Sequence, residues 1–150
     1  MSTHSGSFVV VNNWGTKVFV VAYHQSGSDG SKEGITSQIS LDAGAVSELQ
    51  PITFSGDGDD HWSIAVSDGS KWVGRKFSKD LDSGDANRTV VVSLQDEGGS
   101  SKFDYDEVKM LLPGSSGTSY NLHASPSFVA SVRLSSRSGQ ARTRLEPKGR

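Results

Sequence analysis

Residues 61–77 read HWSIAVSDGSKWVGRKF. Trp62, Ile64 and Val66 alternate with His61, Ser63 and Ala65, the period of two that marks a β-strand. Asp68-Gly69 then interrupts the run, and an Asp-Gly pair between alternating segments is a strong hairpin signal. A two-residue turn at that pair predicts that Ser67 faces Ser70, Ala65 faces Trp72 and Ile64 faces Val73. The two indoles then lie on opposite faces of the hairpin. Trp62 joins Ile64 and Val66 on an apolar face, which assigns it to a core. Trp72 shares its face with His61, Ser63, Gly74 and Lys76, all polar or small.

The same punctuation recurs along the chain. Phe8 to Asn12 is a short apolar strand, and Asn12-Asn13-Trp14-Gly15 is a turn rich in residues that tolerate positive φ. Lys17 to His24 is apolar on both faces, with Phe19, Val21 and Tyr23 on one and Val18, Val20 and Ala22 on the other, so it belongs at the centre of its sheet. Ile35 to Leu41 alternates. Val46 to Phe54 is weaker, and Pro51 assigns it to an edge or a bulge. Ser78 to Asn87 is a polar loop. Thr89 to Leu94 is a Val-rich strand, and Lys102 to Leu112 is a last strand, with one or two helical turns as the alternative for DEVKMLL. About eight short strands with frequent turns predict an all-β antiparallel sandwich over residues 7–112. Residues 113–150 read as a flexible linker and a disordered basic tail, with one irregular strand as an option between Tyr120 and Leu134.

Composition narrows the function classes. The 150 residues contain 15 Lys and Arg against 17 Asp and Glu, a net charge of -2, and no Cys. Disulfide scaffolds, cysteine nucleophiles and zinc-thiolate sites are excluded. Residues 1–128 carry 9 basic and 16 acidic side chains, and residues 129–150 carry 6 and 1, so nets of -7 and +5 make up the total. An overall basic excess is missing, so no specific nucleic-acid partner is expected. No apolar run reaches the ~20 residues of a membrane helix, and the opening MSTHSGSFVVV has no basic region ahead of its apolar run, unlike a conventional signal peptide. A soluble, cytoplasmic protein is expected, with unconventional secretion as the alternative.

Motifs for nucleophile elbows, zinc proteases, P-loops and dinucleotide binding are missing from the sequence. Four His with many Ser and Asp permit a dispersed triad, which only geometry identifies, and incidental surface residues are the simpler reading. No catalytic residue is assigned. Asp57, Asp59 and Asp60 open like a calcium loop but place Trp62 where Gly is needed and Asp68 where a bidentate Glu is needed. A Ca2+ site on a loop rim using these three carboxylates competes with ordinary turn chemistry. No other cofactor is indicated.

Trp72 is the sharpest candidate. An indole on a polar face offers an apolar ring to the C–H face of a sugar and an N–H at its wet edge. Covering by another element is the alternative. His61, Ser63 and Lys76 would supply hydrogen bonds. Trp14, in a turn, either packs back to close the end of the sandwich or projects as a ligand or membrane anchor.

The opening FVVVNNWGTKVFVVAY, followed by ISLDAG, resembles the first hairpin of cysteine-poor β-sandwich proteins, including aegerolysin-type membrane binders and some fungal and bacterial lectins. The resemblance covers about the first 44 residues and carries over no functional residue. The expected function, resting on Trp72 with His61 and the Asp57, Asp59 and Asp60 loop nearby, is non-enzymatic, lectin-like carbohydrate binding. A lipid head group at a membrane surface and a structural or protein-interaction role are the alternatives. A single site of this kind is weak, which favours several copies in a homo-oligomer.

Overall fold

Val-rich segments punctuated by Gly, Ser, Asp and Asn form nine strands in a computed structural model, which describes residues 3–27, 30–95, 107–113 and 117–122. In chain order these are β1 (His4–Asn12), β2 (Val18–Ser26), β3 (Glu33–Leu41), β4 (Gln50–Phe54), β5 (Asp60–Ser67), β6 (Trp72–Ser78), β7 (Thr89–Gln95), β8 (Glu107–Leu111) and β9 (Thr118–Asn121), with a 3-10 turn at Ser83–Asp85. One sheet has the order β4-β1-β7-β8-β9 and the other β3-β2-β5-β6. The expected all-β sandwich is the architecture. One pairing departs from an antiparallel design: β1 runs parallel to β7. Parallel neighbours need a long connection, and here the chain passes through β2 to β6 before it returns.

The two sheets meet through their inward-facing alternate residues. Phe8, Val10, Val90, Val92, Leu94, Val108 and Met110 from one sheet share a single core with Val18, Val20, Ala22, Trp62, Ile64 and Val66 from the other. Each large apolar side chain buried there contributes about 1.5–3 kcal/mol, most of it offset by the entropy of ordering the chain. β2 is central in its sheet and β4, with Pro51 opposite Ser7, is an edge strand, as their apolar and proline content implied. The DEVKMLL segment supplies a strand rather than a helix, because Val108 and Met110 alternate into the core while β8 pairs with β7.

β1 and β2 lie in different sheets, so the Asn-rich turn is a corner between layers and not the tip of a hairpin. Asn12 is fully buried there. Its Nδ2 donates toward the Thr16, Leu41 and Asp42 carbonyls at 2.9–3.1 Å, and its Oδ1 accepts from the Trp14 amide at 2.9 Å. The packed domain also reaches past residue 112. β9 pairs with β8, Leu122 is in the core, and the Tyr120 ring stacks on Phe77 at 4.1 Å. Burial raises the Tyr120 phenol above its usual pKa, with Asp80 adding to the rise and Arg75 opposing it. The basic stretch of residues 129–150 lies outside the described residues. Among the described residues no helix is long and apolar enough to cross a membrane.

Candidate functional site

The β5–β6 connection has four residues, not two. Ser67 pairs with Trp72, Ala65 with Gly74 and Ile64 with Arg75. Asp68 does not occupy a tight two-residue turn. Its Oδ1 accepts from the Ser70 amide, Ser67 Oγ accepts from the Gly69 amide, and Gly69 takes a φ of 102°. The expected register is therefore displaced by two residues. A displacement of two preserves the face of every side chain, whereas one would have inverted them all. Trp62 is buried and Trp72 is half-buried on the opposite face, with His61, Ser63, Gly74 and Lys76 beside it as expected.

That outer face of the four-stranded sheet is built in rows across β2, β5 and β6. Phe19, Ser67 and Trp72 form the first, and Val21, Ala65 and Gly74 the second. Tyr23, Ser63 and Lys76 form the third, and Gln25, His61 and Ser78 the fourth. The β5 column is made of small residues over three rows, Ser67, Ala65 and Ser63, all of them buried. Residues rise about 3.3 Å each along a strand, so the column from Ser67 to His61 is about 20 Å long. Trp72 packs on the buried cluster of Val21, Tyr23 and Ala65. Gly74, opposite Ala65, has no side chain to compete for that space.

Cations edge this face. Lys17 Nζ lies 5.9 Å from the centre of the Phe19 ring and Lys32 Nζ lies 5.3 Å from that of Tyr23. Such placement favours the cation by about 0.5–1 kcal/mol at an exposed site. Lys76 is exposed in the Tyr23 row. None of the outward positions of β2, β5 and β6 holds a carboxylate. Asp68 follows one end of the β5 column and Asp59 precedes the other.

At the Asp59 end, His61 Nε2 is 2.9 Å from Asp59 Oδ1 and its Nδ1 is 3.2 Å from Ser78 Oγ. These are the residue types of a hydrolytic triad, but the two ring nitrogens are exchanged relative to the usual roles. The acid is 69% exposed where a triad buries it. What the arrangement does is fix the imidazole and present hydrogen-bonding groups at one end of this face.

The acidic loop divides. Asp57 and Asp59 are exposed, whereas Asp60 is fully buried. Asp60 Oδ1 lies 2.8 Å from His24 Nε2, and its Oδ2 accepts from the Leu81 amide at 2.8 Å. The other nitrogen of His24 is 3.2 Å from Glu33 Oε1, and Glu33 in turn accepts from the Thr53 amide and hydroxyl. The three Asp proposed as calcium ligands therefore do not converge: the third is turned inward to clamp β2 to the β6–β7 loop. Among the described residues no group of three or more His, Cys, Asp or Glu side chains is placed to hold a metal ion.

Trp14, the other candidate contact residue, is 1% exposed, and its indole N–H donates to the Gln95 carbonyl at 2.8 Å. It closes the sandwich end and does not project. A groove of about 530 Å3 lies elsewhere, between β3 and β4, lined in part by Ile35, Ile39, Val46, Ser47 and Glu48. No aromatic ring lines it, so it offers nothing for a sugar face to stack on. Sequence reasoning missed Phe19, Val21 and Tyr23 as residues sharing the Trp72 face; their alternation was legible, but the pairing of β2 with β5 was not. No protein-family model matches the chain, and no curated protein is detectably similar to it.

Proposed function

We propose that this chain is a non-enzymatic binding module that holds a carbohydrate on the outer face of its four-stranded sheet. The observation that carries the reading is Trp72, half-buried on a base of Val21, Tyr23 and Ala65 beside the hydroxyl-bearing Ser63 and Ser67. A ring supported from below loses little entropy on stacking, and the surrounding hydroxyl, imidazole and ammonium groups match a ligand rich in hydroxyls. His61 and Lys76 supply the imidazole and ammonium groups, whereas Ser63, expected to join them, is buried at 5% exposure. Repetition in a homo-oligomer would raise the avidity of a shallow site. The membrane reading loses its anchor, since Trp14 is spent in the core.

A glycan array run beside flotation on lipid vesicles, with wild type and Trp72→Ala, tests the reading. Glycan binding that free sugar competes and Trp72→Ala lowers by about tenfold or more, equivalent to ~1.4 kcal/mol, supports it. Glycan binding unchanged in Trp72→Ala, or vesicle binding without glycan binding, overturns it.

A further inference from the structure

We propose that two copies of this chain pair through the outer face of the five-stranded sheet, the side of the sandwich away from Trp72. Strand parity decides what that face carries. Phe8, Val10, Val90, Val92 and Met110 turn into the core, so Val9, Val11, Val91 and Leu111 turn outward. Val9 pairs with Val91, and Val91 with Leu111. Leu49 precedes Gln50, which pairs with Phe8, so it stands level with Val9. Four apolar side chains thus form one row across the sheet, about 14 Å long. Leu49 and Leu111 are exposed, and the two valines between them are half-buried. Val11 and its bridge partner Val46, 56% exposed, widen the patch on one side of the row, and exposed Pro51 on the other. A contiguous apolar patch with a polar rim marks a contact surface.

Charge, area and symmetry name the occupant. Residues 1–128 carry a net charge of -7, so two copies repel unless they meet where acid is missing. Among the described side chains at outward positions of β1, β4, β7, β8 and β9 there is no carboxylate. The one cation among them, Lys109, reaches over Gly117 at the β9 edge. A centre depleted of charge is the composition of a protein interface. A nucleic acid needs a cluster of cations, and a bilayer needs aromatic or basic residues at its surface. Five strands at about 4.8 Å and five rows at about 6.7 Å make a face of about 24 by 27 Å, or ~650 Å2 in plan. Side-chain relief adds to that, which brings the face close to the ~800 Å2 per partner of a standard interface. The pattern is also self-complementary. A two-fold axis laid along the apolar row stacks Leu49, Val9, Val91 and Leu111 on their own copies, in aligned sheets about 10 Å apart. It sets Val46 of one protomer against Pro51 of the partner subunit and holds Lys109 away from its own copy. The two Trp72 faces then point in opposite directions, so the pair is bivalent whatever ligand that face takes.

The test is sedimentation of the full chain over about 1–100 μM, the range in which a modest interface assembles, beside flotation on phosphatidylcholine vesicles. Wild type is compared with Leu49→Glu, Leu111→Glu and their double variant, and thermal melts confirm that they fold. The expected result is a particle of twice 15.9 kDa for wild type. Each Glu should weaken association by about tenfold or more, because like charges would meet in an apolar contact, and the double variant should sediment as a monomer. The chain has no Cys, so an introduced thiol is unique: a short bismaleimide should link Leu111→Cys into a covalent dimer and should not link Ser70→Cys, in the exposed β5–β6 loop. Wild type monomeric throughout the range, whether or not it floats with vesicles, overturns the proposal. So does a dimer that the double Glu variant leaves intact, or linking that is equal at both thiols. Each of these results leaves the carbohydrate reading to its own test.

Discussion

Asp60→Ala removes the acceptor at the centre of the buried polar cluster. The wild-type carboxylate is fully buried, with one oxygen 2.8 Å from His24 Nε2 and the other 2.8 Å from the Leu81 amide. Alanine strands both groups where water is excluded. Each buried, unsatisfied polar group costs about 1–3 kcal/mol, and breaking a buried pair by removing one partner costs about 3–5 kcal/mol. The two estimates agree on ~3–5 kcal/mol, a large fraction of the ~5–15 kcal/mol that holds a domain together. With a urea dependence of about 1–3 kcal/mol per molar, the unfolding midpoint should fall by roughly 1–5 M. Asp60→Asn keeps the shape: its oxygen can accept from Leu81 and its amide can donate to a neutral imidazole, so the loss should be only about 1 kcal/mol. Urea unfolding followed by tryptophan emission suits the comparison, because the Trp62 ring lies 4.7 Å from that of His24. A midpoint unmoved by alanine, or asparagine as damaging as alanine, would refute this account of the cluster.

The corner between sheets gives a second expectation. Asn12→Asp sets a carboxylate against three carbonyl oxygens now served by Nδ2, and chemical denaturation should show a loss of at least ~2–4 kcal/mol. A third concerns pH. Burial raises the Tyr120 phenol above 10.0 in the folded chain. Its contribution to stability is complete below the unfolded value and is lost as pH rises through the higher folded one. The melting temperature should therefore fall above about pH 10, and Tyr120→Phe should lessen that fall; an identical alkaline slope in the variant would contradict the assignment.

The face of Trp72 was legible from residues 61–77 because strand parity survives an error of two in register. The turn length was not legible: Asp68-Gly69 suits both a two-residue reversal and the longer loop, where the carboxylate caps Ser70. The His24–Asp60 pair had a local signal. His24 continues the inward series Val18, Val20, Ala22, and Asp60 precedes Trp62 and Ile64 with the same parity, so two polar residues were aimed at the core. Glu33 could not be added, since its contact requires the β2–β3 pairing. The parallel β1–β7 partnership had no local signature at all, because strand order depends on long-range packing. Trp14 was open to two readings, and the Gln95 carbonyl that receives its N–H is 81 positions away.

The most direct measurement is acrylamide quenching of tryptophan emission with and without a saturating glycan found to bind on the array. Trp14 and Trp62 are 1% and 3% exposed while Trp72 is half-buried at the surface. One quenchable population is expected, lost in Trp72→Phe and shielded when the glycan is bound. Emission equally resistant in both proteins, or a quenchable indole that the bound glycan leaves unshielded, would contradict a binding face centred on that ring.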